Sequence, residues 1–95
     1  MSSTILIPTA LRQFTDGQGE LTIEANSVGK ALEQLTAAFP ALSKHLYNDK
    51  KEVRSFINVF VNEENMRHKS GLDTPIANGD SIMIVPSIAG GMNRV

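Results

Sequence analysis

The clearest pattern in the chain is the alternation Phe56-Ile57-Asn58-Val59-Phe60-Val61-Asn62. Ile57, Val59 and Val61 fall on one side of an extended strand, and Asn58, Phe60 and Asn62 on the other. A shorter alternation, Glu20-Leu21-Thr22-Ile23-Glu24, predicts a half-buried strand. Residues 4–7 are β-branched and apolar and predict a strand stopped by Pro8, since proline is confined to strand ends and edges. Residues 9–14 are mixed and lead into Asp16-Gly17-Gln18-Gly19, which reads as a turn because these residues accept positive φ. The chain therefore opens on a hairpin. From position 28 the period changes to that of a helix, with Val28, Ala31, Leu32, Leu35 and Phe39 on one side and Lys30, Glu33, Gln34 and Ala37 on the other. Ser27 is placed as its N-cap and Pro40 as its stop. Residues 41–46 have room for one further turn, 48–52 form a polar loop, and 63–70 are strongly polar up to Gly71. Asn78-Gly79 marks a turn ahead of Ser81-Ile82-Met83-Ile84-Val85, a strand so apolar that burial on both faces is expected. Pro86 ends it.

Strand, strand, helix, strand, minor element, strand is an α+β order. One amphipathic helix across a mixed sheet of four to five strands buries both apolar faces in two layers, the β-grasp or ubiquitin-like arrangement. A hairpin at the start argues against a doubly wound α/β fold, in which strands and helices alternate. Residues 1–86 form this domain, and residues 87–95, without periodicity, read as a flexible tail. Strand parity adds one more expectation. Leu6 points opposite to Ile5 and Ile7, Phe60 opposite to Val59 and Val61, and Met83 and Val85 opposite to Ile82 and Ile84. If these strands are neighbours, Leu6, Phe60, Met83 and Val85 form an apolar patch on the outer face, the kind of surface that marks a partner site.

Composition narrows the chemistry. A length of 95 residues is one domain with one modest core. The net charge of −1 disfavours nucleic acid and anionic membranes as partners. No apolar run approaches a membrane span, and no basic region precedes an apolar stretch at the start, so a cytoplasmic location is expected. The absence of cysteine removes disulfides, thiolate metal sites and thiol nucleophiles together. Any sulfur handled by this chain must be carried elsewhere than on a side-chain thiol. His45 and His68 lack metal-ligand spacing and are expected to be exposed or capping, so no metal site is expected. Glu63 and Glu64 have helical spacing to Arg67, and Gly17-Gln18-Gly19 lacks the lysine of a phosphate loop. No catalytic constellation is present, and the chain reads as substrate-like and not as an enzyme.

Three segments carry a resemblance: Ile57-Asn58-Val59-Phe60-Val61-Asn62, then Ile76-Ala77-Asn78-Gly79-Asp80-Ser81, then Val85-Pro86-Ser87-Ile88-Ala89-Gly90-Gly91. The chain resembles the ThiS/MoaD-type family of small sulfur carriers over about residues 5–91. Within that family the opening Ile7-Pro8-Thr9-Ala10-Leu11-Arg12 and the Ser70-Gly71-Leu72 region are most similar to carriers that feed cysteine synthesis. The resemblance implies that a ubiquitin-activating-type adenylating enzyme joins the Gly91 carboxylate to AMP and that a sulfur donor then displaces AMP. Gly91 would end as a thiocarboxylate, with AMP and sulfide attached only transiently and covalently and no cofactor bound. Pro86, Ala89 and Gly90 would be recognised as the arm leading to it. The sulfur would pass to an activated serine derivative on a PLP-dependent cysteine synthase-type acceptor. One departure stands out, because family members commonly end at the second glycine whereas this chain continues through Met92-Asn93-Arg94-Val95. Some relatives lose such a tail to a zinc-dependent JAMM-type metalloprotease, which would here cut between Gly91 and Met92. A native tail, a cloning remnant and a non-carrier copy all fit the extra residues. A molybdopterin synthase small subunit, a β-grasp interaction module that is never processed and a protein modifier joined through Gly91 are the alternatives.

Overall fold

A computed structural model describes residues 2–86. Expectations that fall on residues 87–95, including Ala89, Gly90, Gly91 and Met92, lie outside the described residues.

Five strands build one mixed sheet: β1 (Ser3–Leu6), β2 (Glu20–Ile23), β3 (Ile57–Val61), β4 (Glu64–Asn65) and β5 (Ser81–Pro86). Their spatial order is β2-β1-β5-β3-β4. β5 runs parallel to β1 and antiparallel to β3, so the last strand of the chain lies at the centre. Helix α1 (Val28–Ala38) starts where the periodicity places it. Ser27 Oγ accepts from the Lys30 N–H at 3.3 Å, and Phe39 leaves helical geometry just ahead of Pro40. Val28, Ala31, Leu32 and Leu35 are buried and pack with Ile5, Ile57, Val59, Ile82 and Ile84 in one core. The β-grasp expectation holds, with five strands and one main helix.

Several segments take more structure than the sequence suggested. Residues Thr9–Phe14 form a 3-10 helix that buries Leu11. A second short 3-10 turn at Pro40–Leu42 runs into α2 (Ser43–Leu46), the expected extra turn, and buries Leu42 and Leu46. The polar stretch after Val61 folds back as β4 through a tight turn at Asn62 and Glu63. Both residues have positive φ, 50° and 78°, as two-residue hairpin turns require. Asparagine tolerates this region, but glutamate does not. The left-handed penalty of roughly 1–2 kcal/mol exceeds glycine's extra entropy cost of about 0.5–1 kcal/mol. Glu63→Gly is therefore expected to raise stability by about 0.5 kcal/mol, seen as a higher urea midpoint with an unchanged slope.

Two ion-pair and burial expectations are corrected. Arg67 does not pair with Glu63 or Glu64. Its Nη2 donates to the carbonyls of Arg54, Ser55 and Ile57 at 3.2, 3.2 and 2.8 Å, and Glu64 instead meets Lys69 at 3.3 Å. Residues 66–68 form a 3-10 turn, so the helical spacing that would have joined Glu63 to Arg67 never develops. His45 is neither exposed nor a cap. Its ring stacks on Phe14 at 4.1 Å between centroids, and Nε2 is buried without a partner among the described residues.

Candidate functional site

Register fixes one rung of apolar side chains across the outer face of the sheet. Leu6 pairs with Met83, and Met83 pairs with Phe60, so one rung crosses β1, β5 and β3. Paired residues point to the same face, which sets Leu6, Met83 and Phe60 side by side. Glu20 opposite Leu6 and Asn65 opposite Phe60 close the row at the two edges. Two positions further along β5, Val85 lies opposite Asn58, whose Oδ1 accepts from Asn65 Nδ2 at 3.2 Å. The other half of each strand is core, since Ile5, Ile82, Val61, Ile84 and Val59 are all 4% exposed or less.

Leu6 and Met83 are 37% and 39% exposed, and Phe60 and Val85 are half-buried. The expectation that β5 is buried on both faces is therefore wrong. Among the described residues the only helix long enough to cover the sheet, α1, packs on one side of it, and the outer side of a central strand stays open. The four residues singled out by parity are brought together. Phe56, 40% exposed, was missed. It precedes Ile57, the partner of Pro86, and so flanks the point where β5 ends. An aromatic residue directly before the strand that pairs with the chain's last strand was the available signal.

At the opposite end of the same sheet a clamp joins two turns. Asn62 Nδ2 donates to Asp80 Oδ1 at 2.8 Å, the Ser81 N–H donates to Asn62 Oδ1 at 3.0 Å, and the Ala77 N–H donates to Asp80 Oδ2 at 2.8 Å. Gly79, at φ 86°, supplies the backbone geometry of the turn between them. The Ala77 N–H first, then the Asn62 amide, hold the Asp80 carboxyl below the usual carboxylate range, with Lys69 adding to this and desolvation opposing it. A lowered folded pKa stabilises the fold above the unfolded value of about 3.9 and loses that contribution as pH falls through the folded value. Wild type is thus expected to exceed Asp80→Asn in stability near neutral pH. The gap between their urea midpoints should close as the pH falls below the unfolded value and through the lower folded one.

On the helix layer, α1, α2 and the loop at 47–54 enclose an open groove of about 680 Å3. Tyr47 lines it with its phenol pushed above the ordinary value, first by burial and then by the charge of Glu33. Among the described residues no three histidine, aspartate or glutamate side chains are grouped to hold a metal ion. No helix among them is long and apolar enough to cross a membrane.

A profile of the ThiS family matches residues 5–91. The chain belongs to the ThiS family. It is 37% identical over 93 residues to the sulfur carrier protein CysO of Mycobacterium tuberculosis, covering 96% of this chain and all of that one. The crystal structure of that protein superposes with a TM-score of 0.83, at 34% identity over 90% of this chain and 99% of that one. CysO in the BexX/CysO complex of Amycolatopsis orientalis gives a TM-score of 0.85, at 30% identity over 94% and 99% of the two chains. SAMP1, the small archaeal modifier protein of Haloferax volcanii, gives 0.83 at 28% identity over 96% and 100%. Membership places this ThiS-family chain among small substrate-like carriers and not among catalysts. The match ends at Gly91, leaving residues 92–95 beyond it.

Proposed function

We propose that this chain is a sulfur carrier whose Gly91 carboxylate, freed by removal of residues 92–95, is adenylated and converted to a thiocarboxylate. One observation carries the reading furthest: the row of exposed Leu6 and Met83 with half-buried Phe60 is centred on β5, the strand that ends at Pro86 and continues to the Gly90-Gly91 pair. A partner that docks on the row receives the reacting end from the same strand. Likeness to sulfur carriers over nearly the whole chain supports the same view.

The chemistry suits the residues. In the first step a Gly91 carboxylate oxygen attacks the α-phosphorus of ATP and pyrophosphate leaves. Sulfide-level sulfur, as hydrosulfide, then attacks the carbonyl carbon, AMP leaves with the bonding pair, and loss of the proton on sulfur leaves the thiocarboxylate. Gly91 is five residues beyond Pro86, a reach of about 17 Å when extended. Glycines at the tip present no side chain to a narrow active site. While Gly91 is in peptide linkage to Met92 it has no carboxylate to activate, so the four extra residues act as a lock. The proposed partners are the adenylating enzyme, a JAMM-type protease for the lock, and a PLP-dependent cysteine synthase-type acceptor. Pro86, Ala89 and Gly90 form the recognised arm.

Intact mass measured on the protein from its native cells tests this. The expected species ends at Gly91, part of it with one oxygen replaced by sulfur. A chain that keeps residues 92–95 under every sulfur supply would rule out the carrier and leave an interaction module. Likeness to a small archaeal modifier protein favours a second outcome, higher-mass conjugates through Gly91, which the same spectra would reveal.

A further inference from the structure

The end of β5 stands close to the groove on the helix layer. Pro86 pairs with Ile57, and the Ile57 N–H donates to the Arg54 carbonyl at 3.0 Å across a four-residue turn. The ends of such a turn lie within about 7 Å, and paired strands are about 5 Å apart, so the Arg54 backbone is within roughly 12 Å of Pro86. Arg54 lines the groove, and its Nε donates to the Lys44 carbonyl at 2.9 Å, which ties it to α2. Lys44 and Lys51 also line the groove, and both are exposed. Against these three cations the groove sets two carboxylates, Glu33 and Asp49, leaving one positive charge in excess. The Tyr47 phenol, pushed upward by burial, stays protonated and able to donate.

We propose that the groove is a resting place for the chain's own freed end, with the Gly91 carboxylate against Lys44, Lys51 and Arg54. This rests on the reading that residues 92–95 are removed. The five residues Ser87 to Gly91 carry no charged side chain, so the carboxylate is the one charge the trimmed end brings. Their extended reach of about 17 Å exceeds the distance from Pro86 to the Arg54 backbone. The uncut end instead sets the Arg94 cation beside a terminal carboxylate, so that its charges cancel. Trimming thus leaves the terminal carboxylate without the neighbouring cation that offsets it, and the docked end is withheld from a partner until the partner's own contacts displace it.

Carbodiimide coupling of the chain ending at Gly91, at low protein concentration, tests the proposal; the core lies wholly within the retained residues. Each coupling joins the Gly91 carboxyl carbon to a lysine Nζ with loss of one water. Digestion and mass spectrometry should find Gly91 joined within the same chain to Lys44 or Lys51 in preference to Lys30 and Lys69. Lys51→Glu should lower the yield at Lys44 by roughly two- to fivefold. Equal coupling to Lys30, Lys44, Lys51 and Lys69, no coupling at all, or a Lys44 yield unmoved by Lys51→Glu would overturn the proposal. The readout needs no sulfur, so a chain that docks its end but never gains sulfur defeats only the carrier reading. A chain that gains sulfur without docking defeats only this one.

Discussion

Phe60→Asp is expected to cut activation by the adenylating enzyme by roughly tenfold to a hundredfold while the chain still unfolds in one cooperative step. Burying a phenylalanine in a partner contributes about 1.5–3 kcal/mol, which converts to about that range in kcat/KM. The aspartate adds an unpaired charge at the centre of the contact, which pushes in the same direction. The fold should tolerate the change. Phe60 is half-buried on the outer face, while its neighbours Val59 and Val61 supply the core, and strand propensity costs about 1 kcal/mol at most. Single-turnover adenylation of the Gly91-ending chain, beside a urea titration of the same variant, makes the measurement. A folded variant with unaltered kinetics would remove the row from the docking surface.

Leu35→Ala should do the opposite and damage the fold first. Leu35 is wholly buried at the middle of α1, where it belongs to the core formed with the inner faces of the central strands. Truncation of such a side chain costs about 2–5 kcal/mol, a large share of the roughly 5–15 kcal/mol that holds a small domain together. The midpoint of thermal unfolding should fall by more than about 10 °C. Glu33→Ala on the same helix is the control. Its ion pair with Lys30 spans 3.9 Å between exposed side chains and contributes close to nothing. Equal losses for the two variants would mean that α1 does not pack as described.

The two variants separate what periodicity reveals from what it hides. Leu35 was readable as core because a helical face repeats every three to four residues whatever it packs against. The buried faces of β1, β3 and β5 were readable for the same reason at period two. The open outer face of β5 was not, because Ser81-Ile82-Met83-Ile84-Val85 contains no polar residue at Met83 or Val85 to mark it. The 3-10 helix at Thr9–Phe14 buries one side chain in six, too little for a repeat to show. β4 is two residues long and exists as a strand only through its pairing with Phe60 and Val61. His45 could not be placed from the sequence, since its neighbour Phe14 is distant along the chain.

The order of the four longer strands and the main helix, the core side of the helix and of the alternating strands, and the glycine pair that ends the family match follow from the amino-acid sequence alone, because each depends on residues within a few positions of one another. Which strands became neighbours was decided by tertiary structure. Pairing β5 between β1 and β3 aligns Leu6, Met83 and Phe60 on one rung and brings Arg54 near Pro86. Register across a sheet depends on contacts between distant segments, and those form only when one core has to be filled by all of them at once.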